Sequence, residues 1–519
     1  MKGQSEDSEE IDLIERRLVC AKAQAPEVPL RLQRASLTLG PYLGVSRNMG
    51  RQRIFILVLG TLAFGCGDDD APSAVSPVEL TRLDQLTGVW RQQGYARVME
   101  IEPNRVRFFD TTRVSCVPVG ELPLSDVEAS HDRIRGDEDS FSWYTLGHFT
   151  QYRFDRLDAL PEPCGEQPSD PAATFEALWH LFEENYAFFE LRDVDWSERY
   201  QTFRNRVSSQ SDDEALYGVL QEMLMPFDDG HVYVVDFPGE RGFLTGSLGD
   251  LWEAWASQYT GEPIESPLNP RSRFIEDMRE HVLRDILKGA GNSGFRDLLQ
   301  WGWLAPGIGY LNVLEMGSGR EVTIPEMQVL VDETMYEVMS DLADAEQIVV
   351  DVRFNQGGMD TLGYAIAGWF TQERTLVSRK RAVFDGGWTD SEDIYVVPRG
   401  EPFLGPVALL IGKNSISAAE TFAIAMNELP NVTSVGSRTY GALSDSLVRT
   451  LPNGWLVSLS NEVYESPAGE AYERAGVPPD VVTLDDPDAG FYENLAKALL
   501  AAMRLDARAR GTHGQEEQR

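Results

Sequence analysis

One stretch of this chain admits few folds. Val407–Glu428 reads VALLIGKNSISAAETFAIAMNE, an apolar run that breaks into small polar residues and resumes at helical spacing. Such a run, bounded by turn residues, predicts a buried strand ending in a loop. Ser417 then stands at the N-terminus of the helix that follows. A hydroxyl placed there faces unpaired backbone N–H groups and the positive end of the helix dipole. A serine nucleophile and its oxyanion donors can be built together at such a turn. Ser417-Ala-Ala-Glu420 is also a capping box, in which the serine caps the helix and the glutamate caps back. The segment alone leaves both readings open.

Two further segments bear on the choice. In Gln347–Gly358, QIVVDVRFNQGG, Ile348–Val352 reads as a buried strand and Asn355-Gln-Gly-Gly358 as the turn at its C-terminal end. Paired glycines let the backbone take positive φ and approach a ligand closely, so that their N–H groups can point at an anion. Asp228-Asp-Gly-His231 is a tight turn leading into the alternating Val-Tyr-Val-Val235. The chain has only 6 histidines, and the other five lack a comparable turn-and-strand setting.

Six segments in order carry a resemblance: FEALWHLFEENYAFF (Phe175–Phe189), DDGHVYVV, DVRFNQGG, NSISAAE, SVGSRTYGA (Ser434–Ala442) and YERAGVPPD (Tyr472–Asp480). Together they resemble the tail-specific, or C-terminal processing, serine proteases, in the tricorn-core-like branch. The likeness runs from about Asp170 to Asp485, weakening between Pro238 and Gln300. It implies Ser417 as nucleophile, and an oxyanion hole from the N–H of Ala418 with that of Gly357 or Gly358. The bacterial branch takes its base from a lysine in a motif like TFGKG. Here that segment is Thr439-Tyr-Gly-Ala442, with alanine at the lysine position. The tricorn-like branch uses a DGH histidine and a YExxGVxPD glutamate, which correspond to His231 and Glu473. A carboxylate on one imidazole nitrogen fixes the tautomer and stabilises the imidazolium while the other nitrogen takes the serine proton. Taken alone, Glu473 could equally be one more solvated acid among Glu465, Glu470 and Asp480.

The resemblance also implies the fold: an α/β spiral core like that of crotonase and Clp protease, over residues 301–485. Strands alternating with helices at 307–460 fit crossover units and a largely parallel sheet. Met327, Val331, Met335, Val338 and Leu342 keep helical spacing on one face. A hairpin is expected across Pro452-Asn-Gly454. Upstream, short alternating runs predict a small all-β module at 86–165, followed by a helical subdomain carrying the DGH motif at 166–235. Residues 236–300 form a mixed insertion with clustered Trp252, Trp255 and Tyr259, and 486–519 a terminal helix and polar tail.

The net charge of -37 argues against a nucleic-acid partner. No zinc-ligand spacing, phosphate-binding glycine loop or internal repeat is present, so neither a metal nor a cofactor is expected. The N-terminus carries an export pattern: Met49-Gly-Arg-Gln-Arg53 is basic, Ile54–Gly65 is apolar and Cys66 follows. The apolar run is too short to span a bilayer as a mature helix. A cysteine at that point resembles a bacterial lipoprotein box, which implies a lipid anchor at Cys66, a tether over 67–85 and a periplasmic or cell-envelope location. Residues 1–48 are expected to be an untranslated leader, with Met49 as the true start. Export leaves Cys116 and Cys164 in an oxidising compartment where they are permitted to pair.

The expected activity is that of a serine endopeptidase acting on protein or peptide substrates through an acyl-enzyme. Two rivals share the scaffold: a non-catalytic ligand-binding protein, and a crotonase-type acyl-thioester enzyme that needs no serine triad.

Overall fold

Alternate residues of the central strands are buried on opposite sides, and this sets the architecture. Ile348, Val350, Leu409 and Ile411 enter one apolar cluster with Met327, Val331, Met335, Val338 and Phe422. Val349, Ala408 and Leu410 enter another with Tyr310, Phe491, Leu495 and Leu499. A sheet covered on both faces has to be read as a continuous apolar run, as the parallel sheets of α/β proteins are. The computed structural model describes residues 80–165, 167–246, 269–317, 322–484 and 490–505. The expected leader at 1–48, the export pattern at 49–66, Trp252, Trp255, Tyr259 and the polar tail lie outside the described residues.

The central sheet has seven strands. Ile308–Val313, Gln347–Asp351, Val407–Ile411, Val432–Gly436 and Val481–Val482 run parallel in that spatial order. Leu299–Ala305 and Asn292–Gly294 extend it antiparallel at one edge. The crossover helix Ile324–Asp341 starts at a capping box between Thr323 and Glu326, with Pro325 in its first turn. It buries Met327, Val331, Met335 and Val338. Ala418–Asn427 covers the same face after the strand Val407–Ile411, and Phe491–Met503 covers the other.

A second sheet settles where the DGH turn goes. Ser446–Thr450 and Leu456–Ser460 pair as a hairpin, and Leu456–Ser458 then pairs antiparallel with Val235–Tyr233. The strand after His231 is thereby hydrogen-bonded to a hairpin more than 200 residues downstream. The helices Pro171–Asn185 and Asp213–Leu224 pack beneath it in a core that includes Phe182, Leu220, Phe227, Val234 and Trp455.

Residues 88–157 form a separate seven-stranded antiparallel sheet around Trp90, Met99, Phe141 and Phe154. A disulfide joins Cys116 to Cys164, whose Cα atoms are 4.6 Å apart. This module docks on the core through buried polar contacts. The Asn461 amide donates to the Gly94 carbonyl at 2.7 Å, and the Thr450 N–H donates to Asp110 at 2.9 Å. Tyr95 donates to Glu462, which also accepts from Lys380 at 3.0 Å. No helix among the described residues is long and apolar enough to cross a membrane.

Candidate active site

The strand Val407–Ile411 ends at Gly412, and the loop to the helix is laced to the neighbouring strand. The Ser415 hydroxyl donates to the Val352 carbonyl at 2.8 Å, and the Ile416 N–H donates to the Asn355 carbonyl at 3.0 Å. Ser417 is left half-buried with φ 58° and ψ -122°. A non-glycine residue pays on the order of 1–3 kcal/mol for such a backbone and keeps it only where the surroundings over-determine it. The Ser417 side chain makes no capping hydrogen bond. Glu420 supplies the return half of the box, accepting the Ser417 N–H at 3.1 Å. Capping thus falls to the glutamate, and the hydroxyl is not consumed by it.

The glycine turn meets this serine directly. Gly357 has φ +96°, and a Cβ built on it would lie 2.8 Å from the Ser417 Cβ and 3.2 Å from the Ala418 nitrogen. Only a residue without a side chain fits. The Gly357 N–H is committed to the Asn355 side-chain oxygen at 2.8 Å. The N–H groups of Gly358 and Ala418 have no acceptor among the described residues. They are therefore the pair available to an oxyanion beside Ser417, with the helix N-terminus adding its dipole.

His231 reaches the same neighbourhood through one buried carboxylate. Glu420 accepts from the N–H groups of Gly441 (2.6 Å) and Ala442 (2.8 Å) and from the Thr439 hydroxyl (2.6 Å), as well as from Ser417. Burial pushes its pKa up to about 7 against these donors. The loop so pinned supports the DGH turn: a Cβ on Gly230 would stand 3.0 Å from the Tyr440 ring and 3.3 Å from the Ala442 Cβ. Within the turn, Asp229 accepts the His231 N–H at 2.8 Å, the Ser460 hydroxyl at 3.1 Å and the Tyr186 hydroxyl at 2.9 Å. His231 is 9% exposed, and burial holds its imidazole below the usual histidine range. A neutral imidazole is the form that can accept a proton.

Glu473 is buried at 6% exposure, unlike a solvated acid. Its oxygens face partners other than the imidazole. One accepts from Arg192 at 2.9 Å, and the other from the N–H groups of Leu443 (2.8 Å) and Ser444 (3.2 Å). His231 Nδ1 is buried without a hydrogen-bond partner among the described residues. Glu473 and His231 are thus linked through Arg192 and the Asp229 turn, not by a direct bond. Burial, reinforced by the charge of Asp229, pushes Glu473 up to about 8, while Arg192 pulls it down.

Arg192 and the loop-holding role of Glu420 were not visible in the sequence. Arg192 lies in an ordinary polar turn, and only its burial beside two carboxylates marks it. Asp480, in the same motif as Glu473, is structural: it accepts the Ser434 N–H at 2.8 Å and its hydroxyl at 3.1 Å. Among the described residues, no group of histidine, cysteine and acidic side chains could hold a metal ion.

Comparison with known proteins falls on the same segments. Residues 307–483 match Peptidase family S41, and residues 168–225 match the Tricorn protease C1 domain. The chain is 24% identical over 181 residues to a carboxy-terminal-processing protease of Bartonella bacilliformis, covering 34% of this chain and 38% of that protein. It is 30% identical over 135 residues to a chloroplastic C-terminal processing peptidase of Tetradesmus obliquus, covering 26% and 28%. The chain thus spans less than two-fifths of the length of these curated relatives. A crystal structure of a candidate peptidase from Parabacteroides merdae superposes with a TM-score of 0.51 at 26% identity, over 66% of this chain and 98% of that one.

Proposed function

We propose that this chain, which belongs to the tail-specific protease family, is a serine endopeptidase that cleaves protein or peptide substrates through an acyl-enzyme. The observation that carries the reading is the strained Ser417 at a helix N-terminus, beside two uncommitted N–H groups from Gly358 and Ala418. In this reading Ser417 Oγ attacks the scissile carbonyl and His231 takes the hydroxyl proton. The carbonyl oxygen becomes an oxyanion between the two N–H groups. The C–N bond then breaks, His231 protonates the leaving amine, and water hydrolyses the ester by the same proton path in reverse. Glu473 serves as the buried carboxyl of the site, held by Arg192.

A fluorophosphonate probe should label the wild-type protein and not Ser417→Ala, and casein or a peptide library should be cleaved by the former alone. Labelling that survives the substitution would sink the assignment. The rival, a non-catalytic binding protein on this scaffold, draws on the engagement of Glu473 by Arg192 and the unpartnered His231 Nδ1. It predicts no labelling in either protein.

Export to the periplasm or cell envelope with a lipid anchor at Cys66 completes the proposal. The basic, apolar and cysteine pattern at 49–66 supports it, and so does a disulfide that oxidising compartments favour. Metabolic labelling with palmitate should be lost in Cys66→Ala; incorporation that persists would reject the anchor.

A further inference from the structure

We infer that Arg192 is a positioning residue of the catalytic site, a single guanidinium that ties Glu473 to the turn carrying His231 and fixes the charge and place of both. This rests on the serine-peptidase reading above. Arg192 belongs to the segment matching the Tricorn C1 domain and Glu473 to the segment matching family S41, 281 residues later. Its side chain is only 4% exposed. Nη2 donates to Glu473 Oε1 at 2.9 Å and lies 3.7 Å from Asp229 Oδ2. Nη1 donates to the Asp228 carbonyl, so the two ends of the fork grip the turn and the acid at once.

The electrostatics give the contact its purpose. Glu473 faces the carboxylates of Asp229 and Glu420 in a buried site, with the Tyr186 hydroxyl also nearby. Burial and like charge both favour its protonated form. Arg192 is the cation that opposes them, and without it Glu473 would titrate higher still. A lysine would keep the charge but not the planar two-ended reach, so charge and geometry can be separated.

Ser417 labelling by the fluorophosphonate should be followed against pH. Arg192→Met should move the acid limb of the rate upward by at least about one pH unit and slow labelling at neutral pH by about tenfold or more. Arg192→Lys should restore the limb without the full rate. In a Glu473→Gln background, Arg192→Met should move nothing further. A folded Arg192→Met protein with the wild-type profile would overturn the inference. Should wild type fail to label at any pH, the peptidase reading falls on its own.

Urea unfolding then still decides the role of Arg192. Glu473 has its folded pKa raised, so its contribution to stability is lost as pH rises through that value, and removing Arg192 raises the value further. The destabilisation by Arg192→Met should therefore be larger at about pH 9.5 than at about pH 6, and Glu473→Gln should erase the difference. A loss independent of pH would leave Arg192 a packing residue. If Arg192→Met does not fold, Arg192→Lys and the double variant carry both arms.

Discussion

Gly357 stands against Ser417 so closely that a methyl carbon on the glycine would lie 2.8 Å from the serine Cβ. The contact places the glycine turn of one parallel strand against the helix N-terminus that follows its neighbour, and a positive φ at Gly357 permits it. Gly357→Ala should leave the sheet intact at a cost of about 1–3 kcal/mol. Fluorophosphonate labelling should fall by about 100-fold or more, because Ser417 and its N–H donors must move apart. Parallel circular dichroism and labelling rates check this; labelling near the wild-type rate would mean the turn does not shape the site.

Glu420 should act on stability in two separable ways. Glu420→Ala leaves four donors from Ser417, Thr439, Gly441 and Ala442 without an acceptor. A loss of about 3–5 kcal/mol in urea unfolding is expected. The pH dependence has a definite sign. The folded pKa of about 7 lies above the ordinary value of 4.5, so this contribution is fully present below about pH 4.5 and is lost as pH rises through about 7. Glu420→Gln should flatten the stability profile over that window, and an unchanged profile would show that another group titrates.

His231→Ala and Ser417→Ala should each lower turnover by several orders of magnitude, and the double variant should lose little more. Residues that pass one proton between them act as a unit. Losses that multiply in the double variant would count against shared proton transfer.

Ala442 offers a test of the base. It is fully buried, and a Cβ on Gly230 would come within 3.3 Å of its own. Ala442→Lys has no room without displacing the DGH turn and should destabilise the protein by about 1–3 kcal/mol. It should not rescue His231→Ala. Rescue of hydrolysis would show that a lysine base fits this site after all.

Reduction or Cys116→Ser should loosen the β module by about 2–4 kcal/mol, since the bond closes a span of 48 residues in the unfolded chain. Thermal unfolding with and without reductant measures it. The catalytic sheet shares no residue with that loop and should unfold at an unchanged midpoint.

Much of the central sheet was legible, because Ile348–Val352 and Val407–Ile411 are buried at every position and, Asp351 apart, apolar, and such runs need cover on both faces. The strand-loop-helix at Ser417 was legible for the same reason, down to its capping glutamate. The company that Glu473 keeps was not. A motif names a carboxylate, but its partners Arg192, Leu443 and Ser444 come from two other segments and leave no periodic trace.

Local pattern alone determined which segments become strand, turn and helix, and where along them a serine hydroxyl, a pair of glycines and a histidine turn would fall. These are short-range consequences of apolar spacing, glycine freedom and cap chemistry. Only the tertiary structure decided that Val235–Tyr233 pairs with Leu456–Ser458, that Gly357 rests on Ser417, and that a guanidinium lies beside Glu473. Pairing across more than 200 residues and the sharing of buried charge depend on which surfaces the whole chain must hide together.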